Sequence, residues 1–321
     1  MTNFKEKFNE YIKGLTKGEI KHAGKRLGLS AIQNYASCYK HYDAFTRREP
    51  SLYLEDVDLY NFTSRKDRIA AKKKSNEHFN RFLGYLQKQG ISVSSQQIYI
   101  AKLKTVIFWL KDEDMVEINI SNVSVSQVKK ETVVWDNYMT EIILDAAPKT
   151  DLEILFQLQI HLCCRWSELQ SIDAFEKSYL DGNVVYLVSL RQDKTGQRVK
   201  PIIPQQIWEL AKPLFPLKTM YNGEYNKSLR DFLKRFPEFN EEIVFSEQRP
   251  DGTIHTKKKK WYEFASSHDL RRAGINRLQV MGVPDEMIRN MYSGHKSVEV
   301  FNRHYVGINR EKMADVANKI Q

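Results

Sequence analysis

The segment from Asn119 to Thr132 (NISNVSVSQVKKET) is polar, rich in Ser and Asn and without helical period, and it separates two stretches with different apolar patterns. Such a segment reads as a linker, so the residues on either side must bury their apolar groups in separate cores. The length of 321 residues fits this division, since a domain takes roughly 150 residues. Lys129 and Lys130 lie within the segment and are available to a phosphate backbone.

Ahead of the segment, apolar residues recur at helical steps. Residues 1–26 alternate short apolar and Lys-rich stretches broken by Gly14, Gly18 and Gly24, and are expected to form a short helix and a mobile basic lead-in. Ser30 is expected to cap a helix bearing Ile32, Tyr35, Tyr39, Tyr42 and Phe45, which Pro50 would stop. A second helix carries Phe79, Phe82, Leu83 and Leu86 and ends at Gly90. A third starts near Ser94 or Ser95 and presents Ile98, Ala101, Val106, Ile107 and Leu110. The front half is thus an all-helical unit whose aromatic stripes are core.

Behind the segment the pattern changes. Trp135 to Ala147 and Leu152 to Leu169 read as helices, the latter ending in CCRWSEL. Val184 to Arg191 and Val199 to Ile203 are β-branched runs flanking QDKTGQ, the pattern of a β-hairpin. Helices resume at Pro204, Ser228, Ser267, Pro284 and near Asn309. The rear half is therefore mainly α with a small antiparallel sheet, an α+β domain.

Charge divides along the same line. Residues 1–130 carry 23 Lys and Arg against 14 Asp and Glu, net +9, while residues 131–321 carry 27 against 26, net +1. A basic front half suits phosphates, although charge alone is equally that of a basic soluble protein. The sequence has no run of 18 apolar residues and no secretory leader, which predicts a protein of the cytoplasm with no membrane partner. Cys38, Cys163 and Cys164 have no metal-ligand spacing and read as reduced core residues.

Six residues have the chemistry to handle a phosphate. His268 and Arg271 (SHDLRR) lie three apart on one helix face, yet with 8 His and 18 Arg in the chain chance alone supplies about half of one such pair. Arg165 follows the apolar LQIHLCC, so it needs a partner. Glu168 would serve either as an internal ion pair or as a brace behind a guanidinium aimed at phosphate. Lys194 sits at the hairpin tip, either solvated or reaching into a groove. His295 follows Gly294 and would cap a turn, fill a core or serve a site. Tyr305 has an ordinary phenol pKa of about 10 and becomes a nucleophile only among cations.

The order of these residues resembles the signature of the tyrosine recombinase and integrase family. Arg165-Trp-Ser-Glu-Leu169 is similar to its first arginine box, His268-Asp-Leu-Arg-Arg272 to its second, and Ser293-Gly-His295 followed by Tyr305 to its third box and nucleophile. Three positions depart from the pattern: Cys163-Cys164 stands where a Gly-Leu pair is common, and Ser293 where Leu is common. The resemblance spans most of residues 27–321. It implies a basic lead-in over 1–26, a helical core-binding, DNA-binding domain over 27–118, a linker over 119–132 and a catalytic domain over 133–321, closing round DNA as a C-shaped clamp.

The chemistry implied is metal- and ATP-independent strand cleavage and rejoining through a 3′-phosphotyrosyl bond to Tyr305. Arg165 and Arg271 would clamp the non-bridging oxygens and His295 would donate to one of them, with His268 and Lys194 in proton transfer and Glu168 in support. No cofactor is expected. The partners implied are double-stranded recombination sites, a homotetramer on two of them, and room for an accessory directionality protein, in the nucleoid. The final stripe of Met313, Val316, Ala317 and Ile320 is expected to dock on a neighbouring protomer, so deletion of 309–321 should spare DNA binding and reduce synapsis in a pairing assay. Lys257 to Lys260 read as a solvated loop or as phosphate contacts. An integrase of a phage or mobile element is favoured over a Xer-type chromosome-dimer resolvase, a type IB topoisomerase, and a non-catalytic DNA-binding regulator on the same scaffold.

Overall fold

A computed structural model describes residues 2–125, 135–172, 174–180, 182–192, 196–218, 220–248, 253–295 and 297–305; the side chains of 247, 248, 254, 255, 300 and 303–305 lie outside the description. The chain divides into two compact units, Met1–Glu131 with Ser246–Thr256, and Thr132–Phe245 with Lys257–Gln321.

The first unit is built on α1 (Phe4–Lys17), α2 (Leu29–Thr46), α3 (Arg65–Lys88) and α4 (Val93–Glu113). The stretch read as a lead-in contains α1, and Phe4, Phe8, Tyr11 and Leu15 are buried in the unit's core. Their steps of four, three and four residues place them on one helix face. Asn3 and Glu6 close a capping box at one end, and Gly18 in the left-handed region ends the helix at the other. Gly28 occupies the N-cap of α2, so Ser30 lies inside the helix rather than at its cap. Ser64 and Ser92 cap α3 and α4 through their side chains. The first part of the expected linker packs here as well. Ile120 and Val123 are buried, and Ser75 and Asn76 both donate to the Asn119 carbonyl, at 2.6 and 3.0 Å. Residues 126–134, with Lys129 and Lys130, lie outside the described residues.

The second unit opens with α5 (Asn137–Asp145), α6 (Asp151–Leu162) and α7 (Trp166–Gln170). Where one helix to Leu169 was expected, Cys163 takes the left-handed region at φ 49° and breaks it. A residue with a side chain pays about 1–2 kcal/mol there. A small sheet follows: β1 (Ala174–Leu180), β2 (Asn183–Arg191), β3 (Arg198–Val199) and β4 (Ile202–Pro204). Central β2 pairs antiparallel with β1 through Leu180↔Asn183 to Ala174↔Ser189, and with β3 and β4 through Leu190↔Val199 and Leu187↔Ile202. Then come α8 (Gln205–Ala211), α9 (Asn222–Leu233), the paired strands β5 (Glu242–Gln248) and β6 (Ile254–Lys260), of which Ser246–Thr256 belongs to the first unit, α10 (Trp261–Phe264), α11 (Ser267–Val280), α12 (Asp285–Ile288) running into a π-helical turn over Arg289–Ser293, and α13 (Val298–Tyr305).

Helix α6 is buried nearly all round, with Leu155, Phe156, Leu158, Ile160 and Leu162 covered alongside Glu153, Gln157 and Gln159. It crosses α11 closely at Gly274, where a Cβ would stand 2.0 Å from the Ile160 carbonyl oxygen. That crossing sets the end of α6, and hence the Arg165 turn, against the first turns of α11.

Candidate functional site

Arg165 is the N-cap of α7, and its backbone N–H donates to Glu168 Oε2 at 2.7 Å. Its Nη1 also donates to Glu168 Oε1. Arg271, on α11, donates from Nη1 to Glu168 Oε2 at 3.1 Å and from Nη2 to the Ser293 carbonyl at 2.8 Å. One carboxylate, 1% exposed, thus takes two guanidinium groups from distant segments. Two cations on one anion leave a positive excess, the condition under which an anion is welcome. Arg165 keeps 22% of its side chain exposed, whereas Arg271 is fully buried. Glu168 therefore braces the guanidinium of Arg165 from the protein side.

His268 is the second residue of α11, one turn before Arg271, and is exposed. The helix start is fixed by Ser266 and Asp269, which form a capping box. The Ser267 N–H donates to Asn226 Oδ1 at 2.7 Å.

The turn carrying His295 is tied to the same arginine. The Ser293 carbonyl that accepts from Arg271 also accepts from Gln192 Nε2. Gly294 follows at φ 60°, and a Cβ there would stand 2.4 Å from the Gln192 carboxamide. Both conditions favour glycine. His295 is half-buried, its ring 5.9 Å from that of Phe301.

Gln192 is also the base of the β2–β3 turn. Its N–H donates to the Gln197 carbonyl at 2.9 Å and its carbonyl accepts from Gly196 at 2.8 Å. Lys194, two residues beyond Gln192, lies outside the described residues.

Tyr305 closes α13, one turn after Phe301, which is buried with Cys163, Ile275, Ile288 and Tyr292. The Tyr305 side chain lies outside the described residues, as do residues 306–321 with the expected docking stripe. Tyr292 is 9% exposed in that cluster, and burial raises its phenol above the ordinary value. Burial likewise pushes the Cys163 thiol up to about 12 and Cys164 well above its ordinary value, so both remain neutral beside Arg271.

The structure thus joins Arg165, Glu168, Arg271 and the Ser293–His295 turn directly, with His268 one helical turn away. Lys257, Lys258 and Lys259 are exposed and Lys260 half-buried at the end of strand β6, where a loop was one of the two readings. Sequence reasoning missed Gln192, whose polar neighbours in QDKTGQ give no hint of burial. It also missed the exposed cations of α3, Arg65, Lys66, Arg68, Lys72, Lys73 and Lys74, although the run RKDRIAAKKK is visible in the sequence. Among the described residues no group of three or more His, Cys, Asp or Glu is placed to hold a metal ion. No helix among them is long and apolar enough to cross a membrane.

No protein-family model and no curated protein sequence matches the chain. Solved structures do. A XerH site-specific recombinase in a post-cleavage complex with its difH substrate superposes with TM-score 0.59 at 13% identity, over 90% of this chain and 80% of that one. A lambda integrase dimer bound to a COC′ core site gives 0.56 at 15%, over 92% and 96%. The integrase of transposon Tn1549 with circular intermediate DNA gives 0.53 at 12%, over 98% and 99%. The chain has the tyrosine recombinase fold. At these identities the likeness is one of architecture, and the expected mainly helical fold with its small antiparallel sheet is the one observed.

Proposed function

We propose that this chain is a site-specific DNA recombinase that breaks and rejoins strands through a 3′-phosphotyrosyl bond. The observation that carries the reading is the Arg165–Glu168–Arg271 bridge, a buried carboxylate holding two guanidinium groups together within the tyrosine recombinase fold. Tyr305 is the nucleophile. Its oxygen bonds to the scissile phosphorus while the bond to the 5′ oxygen breaks, and rejoining runs the same step backwards. His268 takes the phenolic proton and Lys194 gives one to the leaving 5′ oxygen. Arg165, Arg271 and His295 meet the charge that builds on the non-bridging oxygens. Arg271 is covered as the chain stands, so its direct contact with phosphate requires uncovering on DNA; otherwise it acts by holding Glu168 and the Ser293 turn. Bond energy is kept in the phosphotyrosine, so the chemistry requires neither ATP nor a metal.

The biological reading is an integrase of a phage or mobile element acting as a tetramer on two sites. A lambda integrase tetramer bound to a Holliday junction, at TM-score 0.54 and 16% identity, supports the tetramer by likeness of fold. The test is incubation with nicked suicide duplexes tiled across sequences flanking the gene. A protein–DNA adduct stable to detergent is expected from the wild type and from Tyr292→Phe, and none from Tyr305→Phe. An adduct that survives Tyr305→Phe and vanishes in Tyr292→Phe would overturn the assignment of the nucleophile.

A further inference from the structure

Gln159 is fully buried on α6, one of two buried amides on that helix with Gln157. Its Nε2 donates to two backbone carbonyls, those of Cys164 and Ser267, each at 2.9 Å. Its Oε1 accepts from the Tyr225 hydroxyl of α9 at 2.9 Å. The direction of the amide is fixed by chemistry: carbonyls only accept, so the NH₂ must face them and the oxygen must face the one group able to donate. Burial holds the Tyr225 phenol well above its ordinary value, which keeps that donor protonated.

The two carbonyls are not arbitrary. Cys164 precedes Arg165 and Ser267 precedes His268, so one side chain ties together the peptide groups leading into two members of the site. Helix α9 completes the clasp, since Asn222 Oδ1 accepts from Ser267 Oγ at 2.9 Å and Asn226 Oδ1 from the Ser267 N–H at 2.7 Å. Ordinary core packing would be served by Leu or Met at position 159. A buried amide is retained at a cost unless its hydrogen bonds are all made, and here they also fix a register between the turn ahead of α7 and the start of α11.

We propose that Gln159 is a positioning residue that sets the distance and orientation of Arg165 relative to His268 for strand cleavage. The proposal rests on the recombinase reading above. Gln159→Met keeps the length and apolar bulk and leaves both carbonyls and the Tyr225 hydroxyl without this partner.

The test is single-turnover adduct formation on a suicide duplex at saturating protein, with DNA affinity measured separately. Gln159→Met is expected to slow cleavage about 10- to 100-fold, as small misplacements of catalytic groups do, with DNA affinity within about 3-fold of wild type. In a His268→Ala background the same substitution should slow the residual reaction less than about 3-fold, because the geometry it protects is already lost. An equal effect in both backgrounds, or a loss of affinity matching the loss of rate, would mean Gln159 serves general stability and would sink the proposal. Should Gln159→Met fail to fold, Tyr225→Phe, which leaves Gln159 Oε1 without this donor, enters the same cycle. Hydrogen exchange on the protein alone gives a readout independent of the reaction. Residues 164–166 and 267–269 should lose protection together in Gln159→Met, and loss at one segment alone contradicts the clasp. A wild-type protein that forms no adduct while the exchange pattern holds would count against the recombinase reading and not against the clasp.

Discussion

Glu168 carries one negative charge between two guanidinium groups in a place water scarcely reaches. Neutralising it as Glu168→Gln strands two cations against an amide, and breaking a buried ion pair from one side removes about 3–5 kcal/mol. Urea denaturation should therefore show a midpoint well below wild type, and adduct formation should fall with it. Wild-type stability in Glu168→Gln would mean that the carboxylate is not the charge balancing Arg271. A second single-residue prediction concerns pH. His78, 2% exposed, shares a hydrogen bond with the Tyr42 hydroxyl at 2.7 Å from its Nε2, and burial pulls its pKa down from 6.5 to about 4. Between those values the unfolded chain binds the proton and the folded one does not. Stability is then complete above 6.5 and drains as pH falls towards 4, by up to about 3 kcal/mol. His78→Gln, which can still meet the Tyr42 hydroxyl, should flatten that part of the curve measured by thermal melts from pH 7 to 4; an unchanged slope would show that other groups govern it.

At the scale of elements α6 and α11 meet closely at Gly274. Ala normally favours a helix over Gly by about 1 kcal/mol. At Gly274 that gain is overridden, because the added Cβ meets the Ile160 carbonyl at 2.0 Å and Cys163 Sγ at 2.8 Å, and backbone cannot step aside cheaply. Gly274→Ala should lower the denaturation midpoint, with overpacking of this kind costing about 1–3 kcal/mol, and should slow cleavage by displacing the Arg165 turn. Gly84→Ala in α3, where nothing lies within 4 Å, should instead raise stability; a matching sign at both sites would refute the close-approach argument. This contact was invisible in the sequence, because it depends on which helices cross. What was legible had local causes: the β-branched run became β2, and the arginine boxes fell at helix starts. The break at Cys163 was not legible, since LQIHLCCRW continues an apolar pattern and no glycine marks the left-handed residue. Strand β1 escaped because AFEKSYL is mostly exposed and mixes polar with apolar residues, although its pairing to β2 is local, from Leu180↔Asn183, and Asp181-Gly182 in the sequence is a hairpin signal that sequence reasoning missed. Helix α1 hid its Phe4, Phe8 and Tyr11 stripe among lysines, of which Lys13 and Lys17 are exposed while Lys5 and Lys7 pair with Asp43 and Asp114.

For the molecule as a whole, the net charge of +10 is a statement about partners, and its distribution makes that statement specific. On α3, Arg65 and Lys72 stand seven residues apart, as do Lys66 and Lys73, so each pair shares a helix face two turns on. All four are exposed, and among the described residues Arg65, Lys66 and Lys72 make no ion pair, whereas Lys73 is 3.8 Å from Glu77. Cations left unpaired by the fold are those with charge to give to phosphates. Binding should then weaken linearly in log salt, with each phosphate contact adding about 0.9 to the slope. Replacing Arg65, Lys66 and Lys72 together by Ala should flatten the slope by about 3 if all three meet phosphate, and should weaken specific and random duplexes alike, because backbone contacts carry no sequence. The same substitution at Lys257, Lys258 and Lys259 measures the β6 lysines on the same scale. Fluorescence anisotropy from 50 to 300 mM salt reads both sets. A slope untouched by the α3 variant would mean that this helix turns its charge to solvent and not to DNA, and the positive excess of the first unit would then need another explanation.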